Sequence, residues 1–239
     1  MVFSLQDLKV KIFADGADLD TMFAMYEKPY IKGLTTNPTL MRKAGIKNYK
    51  AFAKDVLEVV KHKPISFEVF SDDFDKMISQ AQEIASWGSN VNVKIPITNT
   101  HGKETLMVIK YLSDRGVTLN VTAIMTVAQV QTVVNTINPT ANAFISIFAG
   151  RIADTGRDPI PIMRDSLNLM QAIPNLALIW ASPRELLNVV QADGIGCHVI
   201  TATTEILNKL DLIGKDLSQY SLETVKMFKQ DAESSGYGI

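Results

Sequence analysis

The sequence predicts an α/β protein folded as a (β/α)8 TIM barrel with an extra C-terminal helix. Two observations support this fold. Eight short apolar segments recur along the chain, with helix-like segments between them. No long polar or Gly/Ser-rich stretch interrupts the series, so a single barrel domain is predicted over residues 1–239. An open, doubly wound sheet is the alternative arrangement of the same segments.

The eight apolar segments have lengths typical of strands. They span residues 10–15, 31–37, 65–70, 91–96, 118–124, 143–149, 176–181 and 196–202. Because a helix-like segment follows each one, consecutive strands are predicted to be parallel.

Capping residues indicate where two of the helices begin. Ser71 precedes an apolar stripe with helical spacing, and Asp72 and Asp73 fall in the predicted first turn, where carboxylates suit the helix dipole. Thr126 precedes a second helix, predicted over residues 127–137, which ends before a proline.

Prolines indicate two further helix starts. Pro159 and Pro161 open a helix predicted to end near residue 173. Ser182 is predicted to cap another helix, because Pro183 follows at the first helical position and Glu185 lies three residues past the cap.

Residues 205–239 lie beyond the eighth unit and form a predicted C-terminal helical extension. Its helix is expected at about residues 221–233. Since the barrel is complete without it, this helix is free to cover the barrel or to pack against a neighbouring molecule.

Composition is typical of a soluble globular protein. Hydrophobic residues make up 46% of the chain and charged residues 21%. A formal net charge of −1 argues against nucleic acid and membrane surfaces as partners. The sequence shows no membrane-spanning stretch and no signal peptide at its start. With a single cysteine, Cys197, these features predict a protein of the reducing cytoplasm.

Lys94 is the most informative single residue. It lies in a predicted strand whose alternate, apolar residues share one face: Val91, Val93, Ile95 and Ile97. Lys94 then faces the other side. Burial of an ammonium group is costly and favours the neutral amine, the form that can attack a carbonyl carbon. The alternative is an exposed lysine on an edge strand, where it discourages aggregation.

Polar side chains recur on one face of six consecutive predicted strands. In a closed barrel this face points to the axis, and active sites lie at the C-terminal ends of the strands. The opposite positions, Ala123 among them, are aliphatic. Buried polar groups cost energy unless they are satisfied, so a ring of them indicates a functional site. The polar set comprises Asp15, Thr35, Asn37, Ser66, Glu68, Asn92, Lys94, Thr118, Asn120, Thr122 and Ser146.

Four short motifs resemble signatures of the transaldolase family. They are residues 34–39 (LTTNPT), 91–96 (VNVKIP), 120–123 (NVTA) and 146–154 (SIFAGRIAD), in the family's order and spacing. The resemblance implies a (β/α)8 barrel. The chain length suits the short branch of the family, in which an exchanged C-terminal helix builds homo-oligomers, either pentamers or decamers.

The resemblance also implies Schiff-base chemistry on a ketose phosphate, fructose 6-phosphate or sedoheptulose 7-phosphate, in the pentose phosphate pathway. Lys94 would form the Schiff base, and Asp15 would act as general acid and base. Glu68, with Thr122, would activate the water that forms and breaks the carbinolamine.

Substrate-binding positions are implied in the same way. The residues implied to hold the sugar are Thr35, Asn37, Asn120, Ser146 and Phe148. Those implied to bind phosphate are Arg151 together with Ser182 or Arg184. The Ser182 segment is shorter than in the family, which leaves the choice between the last two open. No cofactor and no metal are expected, because the three histidines lack ligand spacing.

Several alternatives remain open from the sequence. Glu68 and Phe148 match the transaldolase branch, whereas the related fructose-6-phosphate aldolases typically carry glutamine and tyrosine there. An aldolase that releases dihydroxyacetone, the same chemistry on another anionic sugar, and a non-catalytic sugar-phosphate-binding barrel are the alternative functions. Among single residues, Asp15 could cap the first helix, Asn37 could be a turn residue, and Arg151 could belong to a surface charge cluster.

Overall fold

Eight parallel strands close into a barrel in the computed structural model, which describes residues 4–237. The strands are β1 (Lys11–Asp15), β2 (Ile31–Thr35), β3 (Ile65–Glu68), β4 (Val91–Pro96), β5 (Leu119–Ile124), β6 (Ala143–Ile147), β7 (Leu176–Trp180) and β8 (Val199–Thr203). Strands consecutive in sequence pair with each other, and β8 pairs with β1 to close the sheet. The predicted barrel is therefore confirmed, and the open sheet is wrong.

Helices surround the barrel and follow the strands in sequence. They are α1 (Leu19–Tyr26), α2 (Pro38–Lys43), α3 (Tyr49–Val59), α4 (Phe74–Ala85), α5 (Leu106–Ser113), α6 (Val127–Thr136), α7 (Ala149–Ala153), α8 (Ile160–Met170), α9 (Leu187–Gly194), α10 (Thr204–Leu207) and α11 (Leu217–Ser234). Short 3-10 turns occupy Leu5–Asp7 and Leu210–Leu212. The predicted start of β8 at residue 196 is too early, because Gly196 turns the chain with a φ of 74°.

The outward faces of the strands form the main core. Val93 and Ile95 of β4 are completely buried, as are Val121 and Ile145 on the next two strands. Helix side chains cover this layer. Burial of each such side chain stabilises the fold by roughly 1.5–3 kcal/mol, so the aliphatic positions hold the sheet against its helices.

A small apolar cluster fills the interior of the barrel. Phe13, Ile179 and Val199 are buried in it, and Phe144 packs against them. The rings of Phe13 and Phe144 meet edge to face at 5.9 Å. A Cβ on Gly33 would lie 2.5 Å from the Phe13 ring, so only glycine fits there. These contacts place Phe13, Gly33 and Phe144 on the inward face of the barrel.

An irregularity in β5 changes the predicted alternation at one residue. The pairing of β5 with β6 shifts between Val121 and Ile124, and Ala123 has a φ of 62°. Ala123 is therefore exposed at the cavity mouth rather than buried under the helices, and its predicted outward position is wrong. A bulge of this kind re-aims side chains next to it, Thr122 among them.

Two predicted helix starts are also wrong. The helix after β3 is capped by Asp73, whose carboxylate accepts from the Lys76 backbone N–H at 3.0 Å. Ser71 instead accepts a hydrogen bond from the Asp73 backbone N–H. Asp73 replaces the predicted cap because its carboxylate reaches the first free amides of the helix.

The segment from Ser182 to Glu185 is a turn and not the start of a helix. Ser182 has a φ of 61°, which is not helical. The Asn188 side chain accepts from the backbone N–H groups of Arg184 and Glu185 at 2.8 and 3.2 Å. These amides are satisfied without a helical turn, and α9 begins only at Leu187.

The C-terminal extension contains α10, a 3-10 turn and α11 within the described residues; positions 238 and 239 lie outside them. The helix predicted at about 221–233 is confirmed and begins earlier, at Leu217. No residue of α11 is buried in the described chain. Val225 and Phe228 are 61% and 62% exposed, an unusual state for large apolar side chains.

No helix in the described part of the chain has the length and apolar character needed to cross a membrane. The sequence predicts no signal peptide at the start of the chain, and the first three residues of that segment lie outside the described range.

Candidate active site

A cavity of about 460 Å³ opens at the C-terminal ends of the barrel strands. Its lining includes all twelve side chains that the sequence singled out for chemistry or binding. They are Asp15, Thr35, Asn37, Glu68, Lys94, Asn120, Thr122, Ser146, Phe148, Arg151, Ser182 and Arg184. Residues far apart in sequence therefore share one cleft.

Lys94 extends from β4 into this cavity and is only 6% exposed. Its Nζ lies 3.1 Å from Glu68 Oε2 and donates to the Thr36 carbonyl oxygen at 3.0 Å. Since β4 pairs with strands on both sides, the alternative of an exposed edge-strand lysine is wrong. The amine is held in a fixed direction by one carboxylate and one carbonyl.

Glu68 and Thr122 flank Lys94 from neighbouring strands. Glu68 and Lys94 are register partners on β3 and β4, which explains their close approach. Thr122 lines the same cavity, and its buried Oγ1 has no hydrogen-bond partner among the described residues. An unsatisfied buried hydroxyl is costly, so this group is suited to bind a polar atom of a ligand or a water.

Asp15 lies at the end of β1, where it is half-buried and lines the cavity. The Thr35 hydroxyl donates to its Oδ1 at 2.8 Å. Burial raises the pKa of Asp15, and this effect exceeds the opposing influence of the Lys94 charge and the Thr35 hydrogen bond. Asp18, not Asp15, caps α1, so the capping alternative for Asp15 is wrong. A carboxyl with a raised pKa is suited to exchange a proton near neutral pH.

Asn37 connects the site to the helix that follows β2. Its Oδ1 accepts from the Leu40 backbone N–H at 3.0 Å and caps α2. Its Nδ2 points back to Asp15 Oδ2 at 3.5 Å. The helix cap thus fixes the amide group and turns its donor toward the carboxylate.

Asn120 forms a hydrogen-bonded layer across the barrel with two serines. Its Nδ2 donates to Ser66 Oγ at 3.1 Å, and its Oδ1 accepts from Ser146 Oγ at 2.7 Å. All three residues are buried. Each amide atom of Asn120 keeps a second hydrogen-bonding position, because an amide has two donors and two acceptor lone pairs.

The outer part of the cavity carries positive charge. The Arg151 guanidinium lies 5.4 Å from the centre of the Phe148 ring. Arg184 Nε donates to Asp154 Oδ1 at 2.8 Å in a two-point ion pair, and its Nη1 donates to Ser182 Oγ at 3.0 Å. The surface charge cluster offered as an alternative for Arg151 does not engage it in an ion pair among the described residues, since Asp154 pairs with Arg184.

Gly150 allows these groups to meet. A Cβ at this position would lie 1.6 Å from the Ser182 carbonyl oxygen, a distance that no side chain can occupy. The loop after β7 can therefore lie directly on the first turn of α7, which brings Ser182 beside Arg151.

Four contributions to the site were missed in the sequence. Thr201 and Thr203 of β8 line the cavity, and Thr201 bonds to Thr35 with an Oγ1–Oγ1 distance of 2.5 Å. Extending the alternation test to the eighth strand would have found both. The Thr36 carbonyl and the Tyr49 hydroxyl, which binds the Glu68 backbone, carry no comparable signal.

Within residues 4–237, no group of three or more His, Cys, Asp or Glu side chains is arranged to hold a metal ion. His198 is already engaged, since its Nδ1 accepts from the Leu178 backbone N–H at 3.0 Å.

Comparison with known proteins agrees with the barrel and its cavity. A sequence profile described as transaldolase/fructose-6-phosphate aldolase matches residues 12–237, nearly the whole chain. The chain belongs to this family. A probable transaldolase of Thermoanaerobacter sp. (strain X514) is 31% identical over 231 residues, covering 96% of this chain and 100% of that protein.

Two further relatives of this transaldolase/fructose-6-phosphate aldolase family carry the same description. A probable transaldolase of Dehalococcoides mccartyi is 32% identical over 84% of this chain and 90% of its own length. A probable transaldolase of Streptococcus agalactiae is 34% identical over 80% of this chain and 85% of its own.

Proposed function

We propose that this barrel is a transaldolase, which transfers a dihydroxyacetone unit from a ketose phosphate to an aldose phosphate through a Schiff base on Lys94. The observation that carries the proposal is the buried Lys94 amine, 3.1 Å from Glu68 in a cavity at the strand ends. An amine in such a place is suited to attack a carbonyl. Family membership supports sugar phosphates as substrates.

The first step forms the Schiff base. The neutral Lys94 amine attacks C2 of the ketose, the carbonyl oxygen takes up a proton, and a carbinolamine results. Glu68, 3.1 Å from the amine, is placed to move the protons that release this hydroxyl as water. The unpaired Thr122 hydroxyl is placed to hold that water. The product is an iminium, which can accept electrons from the C3–C4 bond.

The second step breaks the carbon chain. Asp15 removes the proton from the C4 hydroxyl, the C3–C4 bond breaks, and its electron pair moves into the iminium to give an enamine. The shortened aldose phosphate leaves with an aldehyde at the former C4. The raised pKa of Asp15 supports this role, because a stronger base accepts the proton more readily.

The third step reverses the second on a new acceptor. The enamine carbon attacks the acceptor aldehyde, and Asp15 returns its proton to the new alkoxide. Water then adds to the iminium and releases the product ketose from Lys94. Asn37 is placed beside Asp15 to bind substrate hydroxyls. Asn120 can bind another with its remaining donor.

Phosphate binding is assigned to the outer end of the cavity. Arg151 supplies the main charge, because Arg184 is already engaged by Asp154. The Ser182 hydroxyl, held by Arg184 at 3.0 Å, supplies a second contact. Ser182 is therefore the one of the two residues that touches phosphate, and Arg184 contributes mainly by fixing the Ser182 hydroxyl.

The apolar side chain of Phe148, which lines the cavity, favours transfer over release. Release requires a proton from water on the enamine carbon, and an apolar ring at Phe148 offers no hydroxyl to deliver it. An aldehyde acceptor needs no such donor. Glu68 and Phe148 together therefore favour the transaldolase over the aldolase reaction.

The proposed assembly is a homo-oligomer in which α11 packs against a neighbouring copy. Its apolar side chains Leu217, Val225 and Phe228 are 80%, 61% and 62% exposed in the described chain. A contact with a second copy would remove this apolar surface from water.

The test is intact-mass spectrometry after borohydride reduction in the presence of fructose 6-phosphate. The wild-type protein is expected to gain one three-carbon adduct, and added erythrose 4-phosphate is expected to deplete it. Lys94→Ala provides the control without the nucleophile, and Lys110→Ala, an exposed lysine on α5, provides the matched control that keeps it.

Each outcome has a distinct meaning. An adduct on Lys110→Ala but not on Lys94→Ala supports the Schiff base on Lys94. Dihydroxyacetone release without an acceptor, at a rate equal to transfer, would favour the aldolase. No adduct on the wild-type protein, under conditions that trap a known transaldolase, would contradict the proposal.

A further inference from the structure

The Tyr49 hydroxyl binds both backbone polar groups of Glu68. It donates to the Glu68 carbonyl oxygen at 3.1 Å and accepts from the Glu68 backbone N–H at 2.7 Å. Tyr49 is the first residue of α3 and does not line the cavity, so its contact with the site is made entirely through Glu68.

The end of β2 explains why Glu68 needs this partner. Leu34 and Thr35 pair with Ile65 and Ser66 in parallel register. Continued in that register, β2 would place the Thr36 carbonyl opposite the Glu68 N–H. However, β2 ends at Thr35, and the Thr36 carbonyl accepts from Lys94 Nζ instead.

On the side that faces β2, the Glu68 backbone is therefore left without a strand partner. On the side that faces β4, the end of β3 stays in the sheet, because the N–H of the next residue, Val69, donates to the Lys94 carbonyl oxygen at 3.2 Å. The Tyr49 hydroxyl occupies the place that the β2 backbone has left. Because an unpaired buried peptide group is costly, this substitution holds the end of β3 in its sheet geometry.

The Tyr49 ring is itself fixed by aromatic packing. It meets Phe67 at 6.1 Å, Trp87 at 5.6 Å and Phe70 at 4.6 Å between ring centres. Such contacts restrict the ring and hence its hydroxyl. Burial also raises the pKa of Tyr49 well above its ordinary value, so the hydroxyl keeps the proton that it donates.

We propose that Tyr49 is a positioning residue for Glu68, which fixes the carboxylate at hydrogen-bonding distance from the Lys94 amine. This inference rests on the proposed Schiff-base function. It assigns Tyr49 to the steps that Glu68 serves, formation and hydrolysis of the carbinolamine. The Asp15-dependent cleavage of the carbon chain does not depend on it.

The test is a double-mutant cycle with Tyr49→Phe and Glu68→Gln. The readouts are kcat for transfer from fructose 6-phosphate to erythrose 4-phosphate and the time course of the borohydride-trapped adduct. Tyr49→Phe removes only the hydroxyl, and an ångström-scale displacement of a reacting group can cost about 100-fold in rate. We expect adduct formation to slow by about 10- to 100-fold, with little change in KM.

The cycle separates positioning from general stability. If Tyr49 acts through Glu68, then Tyr49→Phe should have no further effect in the Glu68→Gln background. Trp87→Phe is the matched control, because it perturbs the same aromatic cluster and leaves the Tyr49 hydroxyl in place. The rate of adduct formation in Trp87→Phe should stay within about two-fold of wild type, even if its melting temperature falls as much as that of Tyr49→Phe.

Four outcomes count against the inference. The inference would be overturned if Tyr49→Phe formed the adduct at the wild-type rate, or if Trp87→Phe lost as much rate as Tyr49→Phe. In either case a trapped adduct on Lys94 would still support the proposed function. The same factor lost in both the wild-type and Glu68→Gln backgrounds would also overturn the inference. Failure of the wild-type protein to form any adduct would overturn the proposed function and this inference together.

Discussion

Thr35 donates a 2.8 Å hydrogen bond to Asp15 and thereby orients a half-buried carboxyl group whose pKa is raised by burial. The hydroxyl of Thr201, 2.5 Å away, fixes Thr35 from the other side. With Thr35 donating to Asp15, Thr201 must be the donor to Thr35. Three strands therefore cooperate to hold one proposed acid and base.

Replacing Asp15 by asparagine should stabilise the fold at neutral pH. Burial raises the folded-state pKa of Asp15 above its ordinary value of 3.8, so the folded protein binds more protons than the unfolded chain in the window above that value. Stability must then fall as pH rises through the window. Asp15→Asn removes this penalty but should lower kcat at least about 100-fold.

Calorimetric melting temperatures from pH 3.5 to pH 8 test this expectation. The Asp15→Asn variant should melt higher than wild type at pH 8, and the difference should shrink toward pH 3.5. Asp18→Asn is a control for which the change in melting temperature should have the opposite sign, since hydrogen bonds to Thr21 lower the pKa of the Asp18 carboxyl. Its effect should be destabilising at neutral pH and vanish on acidification. A lower melting point of Asp15→Asn at pH 8 would contradict the argument.

Placing a hydroxyl at Phe148 should increase release of dihydroxyacetone. Phe148→Tyr would supply a group that can hand a proton from water to the enamine, the step that transfer does not require. We expect acceptor-independent cleavage of fructose 6-phosphate to rise by about 10-fold or more while transfer slows. Coupled detection of free dihydroxyacetone provides the measurement.

The matched control for this substitution is Phe144→Tyr. Phe144 packs in the apolar interior and does not line the cavity at the strand ends. It should leave the ratio of release to transfer unchanged. An equal rise in both variants would show that the hydroxyl at position 148 has no direct part in protonation.

Arg151 should bind the phosphate group more than it serves catalysis. Losing a charge-assisted contact typically costs about 1.5–3 kcal/mol, so Arg151→Ala should raise KM for erythrose 4-phosphate by roughly 10- to 100-fold. The KM for unphosphorylated erythrose should hardly change. Steady-state kinetics with the two acceptors gives the comparison.

Arg157→Ala is the control for charge alone. Arg157 is exposed, bonds to Thr155 at 3.0 Å and does not line the cavity. Its removal should leave both acceptors nearly unaffected. A similar loss for both acceptors in Arg151→Ala would mean that the residue supports the fold and not the phosphate.

The parts of the site that sequence analysis predicted are those that follow from strand alternation. Lys94, Asn120 and Thr122 could be placed on one face because side chains alternate with a period of two along each strand. Their common end follows from parallel strands. Eight of the twelve cavity residues belong to the polar set that this rule predicted, whereas the other four were implied by the family resemblance: Phe148, Arg151, Ser182 and Arg184.

The features that were missed depend on where strands stop. The Ala123 bulge breaks the alternation, and no residue type near it requires a bulge. The Thr36 carbonyl becomes available to Lys94 only because β2 ends one residue earlier. Tyr49 matters because it fills the resulting gap. Each depends on the three-dimensional course of two segments, which neither composition nor spacing specifies.

Gly150→Ala should disrupt the phosphate end of the site and destabilise the fold. The added Cβ would lie 1.6 Å from the Ser182 carbonyl oxygen, and this neighbour is backbone, so the loop itself must move. Overpacking of this kind typically costs about 1–3 kcal/mol, which lowers the melting temperature of a protein of this size by several degrees. Displacement of Ser182 should also raise KM for phosphorylated acceptors.

Gly194→Ala is the matched control, because it makes the same change where there is room. Gly194 lies in α9, and no atom lies within 4 Å of its added Cβ. Since alanine favours helix by up to about 1 kcal/mol over glycine, this variant should melt at or above the wild-type temperature. If Gly150→Ala were as stable and active as Gly194→Ala, the loop after β7 would have to yield easily. The close packing of Ser182 on α7 would then not fix the phosphate site.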